Sequence, residues 1–153
     1  MHHTRLFLYS VALLIALLAT TVSFGLQGGA AYAHTTRQTS YQATCSGEGC
    51  DNVDPEQSGC AIGAYTVTSI ATSTADIQLR YSPICGTNWG RVVSEGSNNN
   101  VYLVLVERID GVSYGTKGLT GPIAWSRMVY APTVKARACA SINGANPVCT
   151  KYI

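Results

Sequence analysis

The stretch ADIQLRYSPICGTNWGRVVS, which covers Ala75–Ser94, begins with alternating apolar and polar residues. Ile77, Leu79 and Tyr81 share one face of an extended chain, and the polar residues between them share the other. This period of two predicts a half-buried β-strand, because successive side chains of a strand point to opposite faces. Ser82-Pro83 then indicates a turn, after which a second strand is expected.

Short strand-like segments continue along the rest of the chain. Besides Ala75–Tyr81, strands are predicted at six further places: 65–71, 89–94, 101–109, 112–115, 124–130 and 134–140. Val101–Ile109 is apolar on both faces, which is typical of a central strand, and Asp110-Gly111 behind it predicts a hairpin turn. The fold class is therefore predicted to be all-β, a small barrel or sandwich of about seven short strands.

The segment before these strands is a polar loop that is rich in Gly and Cys. Within it, Asp54-Pro55-Glu56-Gln57 combines a helix-capping Asp, a Pro at the first helical position and a Gln three residues after the cap. One short helical turn that ends near Gly59 is therefore expected, and it would bring Cys60 to its partner.

The first 33 residues have the features of a secretory signal peptide. Arg5 precedes the almost wholly apolar Leu6–Thr20, and Ala31-Tyr32-Ala33 fits the small-residue cleavage pattern. We expect cleavage after Ala33 and a secreted protein, extracellular or associated with the cell wall, with no membrane segment left. The alternative is an uncleaved anchor, because Leu6–Leu26 is nearly long enough to span a bilayer.

All six cysteines lie after the predicted cleavage site. An even number of cysteines in a small exported domain indicates a disulfide framework, although six cysteines allow roughly fifteen connectivities. The favoured pairs are Cys45–Cys50, Cys60–Cys85 and Cys139–Cys149. The first and last close short loops rich in Gly, Asn and Pro, and the middle pair ties the N-terminal loop to the sheet. The predicted organisation is a signal peptide over 1–33, a flexible tail over 34–44 and a single disulfide-stabilised β domain over 45–153.

Charge is nearly balanced after the predicted cleavage site. Nine Lys and Arg face eight Asp and Glu there, once Arg5 is set aside. A domain that neutralises phosphates needs a basic surplus. Nucleic acid is therefore not expected as a partner.

The same region lacks the residues that nucleophilic catalysis needs. His34 is its only histidine, so neither a Cys nucleophile nor a Ser triad has a base within a predicted ordered element. A zinc site is not predicted either, because the Cys45-x4-Cys50 spacing lacks a matching second pair. Paired carboxylates remain available for a hydrolase, but none stands in a recognisable motif. We therefore predict that the protein is not an enzyme and has no catalytic residues.

Calcium is the one cofactor that the sequence leaves open. Asp51, Asp54 and Glu56 concentrate oxygen ligands beside a predicted disulfide loop, and Ca2+ binds roughly six to eight oxygens. The alternative is a helix cap with solvated neighbours. No other cofactor is expected.

Aromatic side chains supply the candidate binding residues. After the predicted cleavage site they are all Tyr or Trp, whose apolar bodies and polar tips suit both half-buried strands and binding surfaces. Trp89 is expected in the core. Trp125 and Tyr130 are candidate binding residues, together with Arg80 and Arg91, which have no evident structural role.

Three segments together resemble a known family. They are Cys45-x-Gly47-x-x-Cys50-Asp51-x-x-Asp54-Pro55-x-x-x-Gly59-Cys60, then Leu79-Arg80-Tyr81-Ser82-Pro83-x-Cys85-Gly86-Thr87-Asn88-Trp89-Gly90-Arg91, and finally Trp125–Pro132 with Arg137-Ala138-Cys139 and Cys149-Thr150. The combination resembles the bacterial exported family known as domain of unknown function 2690. The resemblance implies an extracellular or envelope-linked domain, and it implies no established activity, substrate or catalytic residue. Asp51-Asn52-Val53 departs from the shorter, Gly-containing linker expected at that place.

Taken together, these features favour a non-catalytic extracellular module that binds a cell-envelope polymer, a carbohydrate or a protein. One alternative is a small secreted enzyme inhibitor that inserts a disulfide-held loop into its partner. The other is a hydrolase with two carboxylates, which requires two acids close together in a cleft.

Overall fold

The computed structural model describes residues 42–96 and 100–153. These residues belong to one compact unit, Thr39–Ile153. The predicted signal peptide over 1–33 and the predicted tail as far as residue 41 lie outside the described residues. No helix in the described part is both long and apolar enough to cross a membrane.

The described residues form nine strands and one short helix, which confirms the all-β class. The strands are β1 (Tyr65–Ala71), β2 (Ala75–Ser82), β3 (Thr87–Ser94), β4 (Val101–Arg108), β5 (Ser113–Thr120), β6 (Ile123–Trp125), β7 (Val129–Tyr130), β8 (Ala136–Ile142) and β9 (Val148–Cys149). A 3-10 helix spans Gly47–Cys50. The number exceeds the predicted seven because β9 was not anticipated and the segment 124–130 forms two strands instead of one.

That segment divides at Ser126, which leaves the regular ladder. Its hydroxyl accepts a hydrogen bond from the Gly90 amide at 2.9 Å, and its own amide donates to the Gly90 carbonyl at 2.9 Å. Met128 then donates its amide to the carbonyl of Val53 at 3.0 Å, in the N-terminal loop. The chain rejoins β3 only at Val129, opposite Asn88.

The strands form two antiparallel sheets. The first has the order β1-β2-β3-β6, with β7 also pairing with β3, and the second has the order β5-β4-β8-β9. No strand pairing joins the two sheets within the described residues, and buried side chains from both form one core. The fold is therefore a sandwich and not a closed barrel.

The main core lies between the sheets. The first sheet contributes Ile77, Leu79, Val92, Ala124 and Val129, and the second contributes Tyr102, Val104, Val106, Ala138 and Ala140. Each fully buried aliphatic side chain contributes about 1.5–3 kcal/mol relative to its exposed state. The backbones approach closely at Gly90, where an added β-carbon would lie 2.6 Å from the carbonyl oxygen of Leu105.

A second, smaller core covers the opposite face of the first sheet. It consists of Cys50, Cys60, Cys85, Trp89 and Met128, all buried. Since Gly90 faces the main core, Trp89 faces outward from the sandwich, and the N-terminal loop packs over it. Trp89 is thus buried as expected, but in this second core.

The helical turn lies earlier in the loop than predicted. Gly47–Cys50 is helical, whereas 54–59 forms hydrogen-bonded turns. Asp54 still acts as a cap, since its Oδ1 accepts hydrogen bonds from the amides of Glu56 at 3.0 Å and Gln57 at 3.2 Å. The predicted turn is closed by one helix-like hydrogen bond, from the Ser58 amide to the Asp54 carbonyl at 3.1 Å, but it is not continued into a helix.

Candidate functional site

A cleft opens at the end of the sandwich where β1 begins and β2 ends. Its volume is about 330 Å3, and Tyr65, Tyr81 and Asn88 line one side of it. The segment from Ala131 to Lys135, together with Ile153, lines the other side. Ile153 is held there by two backbone hydrogen bonds to Ala136, each of 3.1 Å.

The register of three strands places the residues along one side of the cleft in a single row. Tyr65 of β1 lies opposite Tyr81 of β2, and Tyr81 lies opposite Asn88 of β3. The two tyrosine rings meet edge to face, with centroids 5.7 Å apart and an interplanar angle of 69°. Tyr65 is 52 % exposed, so the pair presents an aromatic surface to solvent.

The polar groups of the cleft are few. Lys135 is the only Lys, Arg, Asp or Glu among the described residues that line it. Asn88 is fixed by a hydrogen bond from its side-chain amide to the carbonyl of Arg80 at 3.1 Å. The described lining of the cleft therefore combines an aromatic surface with one cationic side chain and contains no Asp or Glu side chain.

The four binding residues predicted from the sequence lie elsewhere. Arg80 holds the N-terminal loop, because it donates to Thr66 Oγ1 at 2.8 Å and to the carbonyl of Ala64 at 2.6 Å. Burial lowers the pKa of the Arg80 guanidinium, as does the positive charge of Arg91, while Glu56 opposes both effects. Arg80 thus has a structural role that the sequence did not reveal.

Arg91 and Trp125 lie side by side on β3 and β6. Trp125 donates from Nε1 to Asp54 Oδ2 at 3.4 Å. Tyr130 is apart from them: its amide donates to Asp51 Oδ1 at 2.5 Å, and its ring packs against Gly86. The structure therefore groups Arg80, Arg91 and Trp125 on the outer face of the first sheet.

The three acidic residues considered for calcium are engaged separately. Asp51 accepts from Tyr130, and Asp54 has donors on both oxygens, including an ion pair with Arg127 at 3.5 Å. Glu56 is exposed. Among the described residues, these carboxylates do not form a group close enough to hold a metal ion.

Three disulfides join Cys45 to Cys50, Cys60 to Cys85 and Cys139 to Cys149, which are the pairs expected from the sequence. The first two disulfides touch, and their four sulfur atoms lie within 4.8 Å of one another. The sequence did not predict such a group, because Cys45-x4-Cys50 lacks a matching second pair of close spacing: Cys60 and Cys85 are separated by 25 residues. The third disulfide joins directly opposed residues of β8 and β9.

The family model described as "Protein of unknown function (DUF2690)" matches residues 48–151. The chain belongs to this family. The resemblance seen in the sequence is thus confirmed, and the match includes Tyr65, Tyr81, Asn88 and Lys135 of the cleft. Neither the curated proteins nor the solved structures that were compared contain a match to this DUF2690 chain.

The tyrosine pair was missed as a site although the sequence contained a signal for it. Tyr65 begins the first predicted strand and Tyr81 ends the second, and only three residues, 72–74, separate the two strands, which favours a hairpin. In an antiparallel hairpin, the start of one strand faces the end of the next. The contribution of Lys135 had no such signal, because it depends on how the two sheets pack.

Proposed function

We propose that this DUF2690 domain is a non-catalytic extracellular module that binds a carbohydrate of the cell envelope in the cleft beside Tyr65 and Tyr81. The observation that carries the proposal is the edge-to-face tyrosine pair, with centroids 5.7 Å apart, exposed at the mouth of a cleft. Aromatic rings offer flat apolar faces to the C–H surfaces of a sugar, and the tyrosine hydroxyls offer hydrogen bonds.

The size and polarity of the cleft support a sugar as the ligand. Its volume of about 330 Å3 lies at the lower end of ligand pockets, which span roughly 300–1,000 Å3. Lys135 supplies one cation, which suits a sugar that carries a carboxylate or phosphate.

An extracellular location is supported by the chemistry of the cysteines. All six are in disulfides, and disulfides persist in oxidising compartments. The signal peptide predicted from the sequence favours the same location.

Binding to purified cell-wall glycan tests the proposal. We expect the protein to be retained by the glycan, and we expect Tyr65→Ala and Tyr81→Ala each to weaken retention at least about fivefold. This figure takes the stacking of a ligand ring on one aromatic side chain at about 1–3 kcal/mol, the range known for nucleic-acid bases. Tyr65→Phe keeps the ring and should retain most of the affinity. Ile84→Ala is a matched control, because Ile84 is 54 % exposed and does not line the cleft. No retention by any wall fraction would reject the proposal.

A second candidate is a protein antagonist, favoured by the position of Ile84. This residue lies in the β2–β3 turn next to the disulfide-bonded Cys85 and is 54 % exposed. A rigid loop with an apolar tip suits insertion into a partner, since preorganisation lowers the entropic cost of binding. Inhibition of a protease or glycosidase that is lost in Ile84→Ala but kept in Tyr65→Ala would favour this function over sugar binding.

A further inference from the structure

Four sulfur atoms meet beneath the N-terminal loop, on the outer face of the first sheet. They belong to Cys45, Cys50, Cys60 and Cys85 and lie within 4.8 Å of one another. Cys50, Cys60 and Cys85 are at most 2 % exposed, and Cys45 is partly buried. Within the described parts of the chain, this is the one group of three or more Cys, His, Asp or Glu side chains close enough to hold a metal ion.

Two of the distances between these sulfurs match a tetrathiolate zinc site, and the two bonded pairs, which lie closer, separate on reduction. With a Zn–S bond of about 2.3 Å, tetrahedral geometry places neighbouring sulfurs about 3.8 Å apart. Cys60 Sγ lies 3.7 Å from Cys45 Sγ and 3.9 Å from Cys50 Sγ. Reduction of the two disulfides removes their covalent bonds and leaves four thiols already gathered at one point.

We propose that these four cysteines bind one Zn2+ ion as thiolates when both disulfides are reduced. A dithiol reductant supplies two electrons and two protons to each protein disulfide and is itself oxidised to a disulfide. Two dithiol molecules therefore convert the two protein disulfides into four cysteine thiols. Zn2+ then displaces four protons and forms four Zn–S bonds without any further change of oxidation state. The N-terminal loop is thus fixed to the sheet by the Cys60–Cys85 disulfide in one state and by zinc in the other.

The surroundings of the sulfurs favour zinc over a hard cation. Thiolates are soft ligands that select zinc over calcium or magnesium, and no carboxylate belongs to the group. Trp89 and Met128 pack into the same core and are 2 % and 0 % exposed, so they keep water from the sulfurs. A dry, sulfur-only site of four ligands is typical of structural zinc, which contributes directly to folding.

The ligands come from three separate places in the chain. Cys45 precedes the 3-10 helix and Cys50 is its last residue, Cys60 follows the capped turn at Asp54, and Cys85 lies in the β2–β3 turn. A single ion would therefore cross-link the loop to the hairpin, as the Cys60–Cys85 disulfide does in the oxidised protein. The remaining pair, Cys139 and Cys149, joins β8 to β9 in the other sheet and serves as an internal control.

Metal titration of the reduced protein tests the proposal. The protein is reduced without denaturant, freed of reductant and metals under inert gas, and titrated with Co2+ and then Zn2+. We expect about one ion per chain, visible absorption bands of tetrahedral Co2+ with thiolate charge transfer, and displacement of Co2+ by Zn2+. Zn2+ but not Mg2+ should raise the midpoint of thermal unfolding of the reduced protein, because an ion that binds the folded state stabilises it.

Two double variants assign the ligands. Cys139→Ser/Cys149→Ser should bind the metal as the natural chain does. Cys60→Ser/Cys85→Ser should lower the affinity at least about 100-fold, because it removes two of the four thiolates that together bind structural zinc with about 10–16 kcal/mol. Cys45→Ser removes only the partly exposed ligand and provides the same comparison if the double variant does not fold. Failure of the reduced natural chain to take up Zn2+, an octahedral Co2+ spectrum, or full uptake by Cys60→Ser/Cys85→Ser would each overturn the proposal.

Discussion

Trp125 donates a hydrogen bond from its indole nitrogen to Asp54, 3.4 Å away and 71 residues earlier in the chain. The same oxygen of Asp54 pairs with Arg127 at 3.5 Å, while the other oxygen caps the turn at Glu56 and Gln57. One carboxylate thus shapes the N-terminal loop and also attaches it to the segment that follows β6.

We expect Asp54→Ala to lower the free energy of unfolding by about 2 kcal/mol, because it removes a cap worth about 0.5–2 kcal/mol and leaves the Trp125 donor without its partner. Urea denaturation measures the change. Glu56→Ala is the matched control, since Glu56 is an exposed acid in the same turn and should change stability by less than about 0.5 kcal/mol. Equal losses in both variants would contradict the anchoring role of Asp54.

Gly90→Ala should destabilise the sandwich through a steric clash. The added β-carbon would lie 2.6 Å from the Leu105 carbonyl oxygen and 3.0 Å from Val104 Cγ1. The carbonyl oxygen belongs to the backbone of β4, so it cannot move away by a change of side-chain rotamer. We expect a loss of about 1–3 kcal/mol, the usual cost of overpacking a core. Gly49→Ala, where nothing lies within 4 Å, is the control and should leave the thermal midpoint nearly unchanged.

The loss of unfolding free energy on removal of a disulfide should increase with the length of the loop that the disulfide closes. Cys60→Ala/Cys85→Ala opens a loop of sequence separation 25, and Cys139→Ala/Cys149→Ala one of separation 10. Chain entropy gives about 3.5 kcal/mol for the first and about 2.7 kcal/mol for the second. Denaturation of both variants under non-reducing conditions measures the order, and a larger loss from the shorter loop would contradict it.

Asp110 should contribute a pH-dependent part of the stability. A hydrogen bond from Arg108 holds the pKa of Asp110 below its ordinary value. Because the pKa is lower in the folded state than in the unfolded state, the stabilisation is present above the unfolded-state pKa and is lost as the pH falls through the folded-state pKa. The free energies of unfolding of Asp110→Asn and of the natural chain should therefore differ at neutral pH and become equal in strong acid.

The same pair offers a direct measurement of that pKa. Arg108→Gln should raise the pKa of Asp110 towards its ordinary value in an NMR titration. Arg137→Gln serves as the control, because Arg137 pairs with Glu107 at 2.6 Å instead. An Asp110 titration that Arg108→Gln leaves unchanged would refute the assigned cause.

The sequence predicted the strands where the pattern of side chains is local. Tyr65–Ala71 was placed at its observed bounds, and Ala75–Tyr81 was one residue shorter than β2, because alternation along a half-buried strand is visible within a few residues. The division of 124–130 was not predictable in this way. It depends on the hydrogen bonds between Ser126 and Gly90, which join residues far apart in the chain.

Long-range packing also explains what was missed at the candidate sites. Arg80 looked free in the sequence because its partners, Thr66 and Ala64, meet it only after β1 pairs with β2. The four sulfurs were not recognised as a group because chain spacing alone cannot show that Cys45, Cys60 and Cys85 fold onto one face. Alternation of side chains along a strand is a local property, whereas the pairing of distant strands and the covering of a sheet by a loop are not.

Asn88 and Trp89 are neighbours on β3 whose side chains leave the sheet in opposite directions. Asn88 lines the cleft, and Trp89 is packed with Cys60 and Cys85 in the second core. Trp89 is therefore a natural fluorophore that packs with the disulfide-bonded cysteines of the second core. Its emission should respond when the adjacent disulfide is opened, so an optical signal can follow the redox state of the loop in the unlabelled protein.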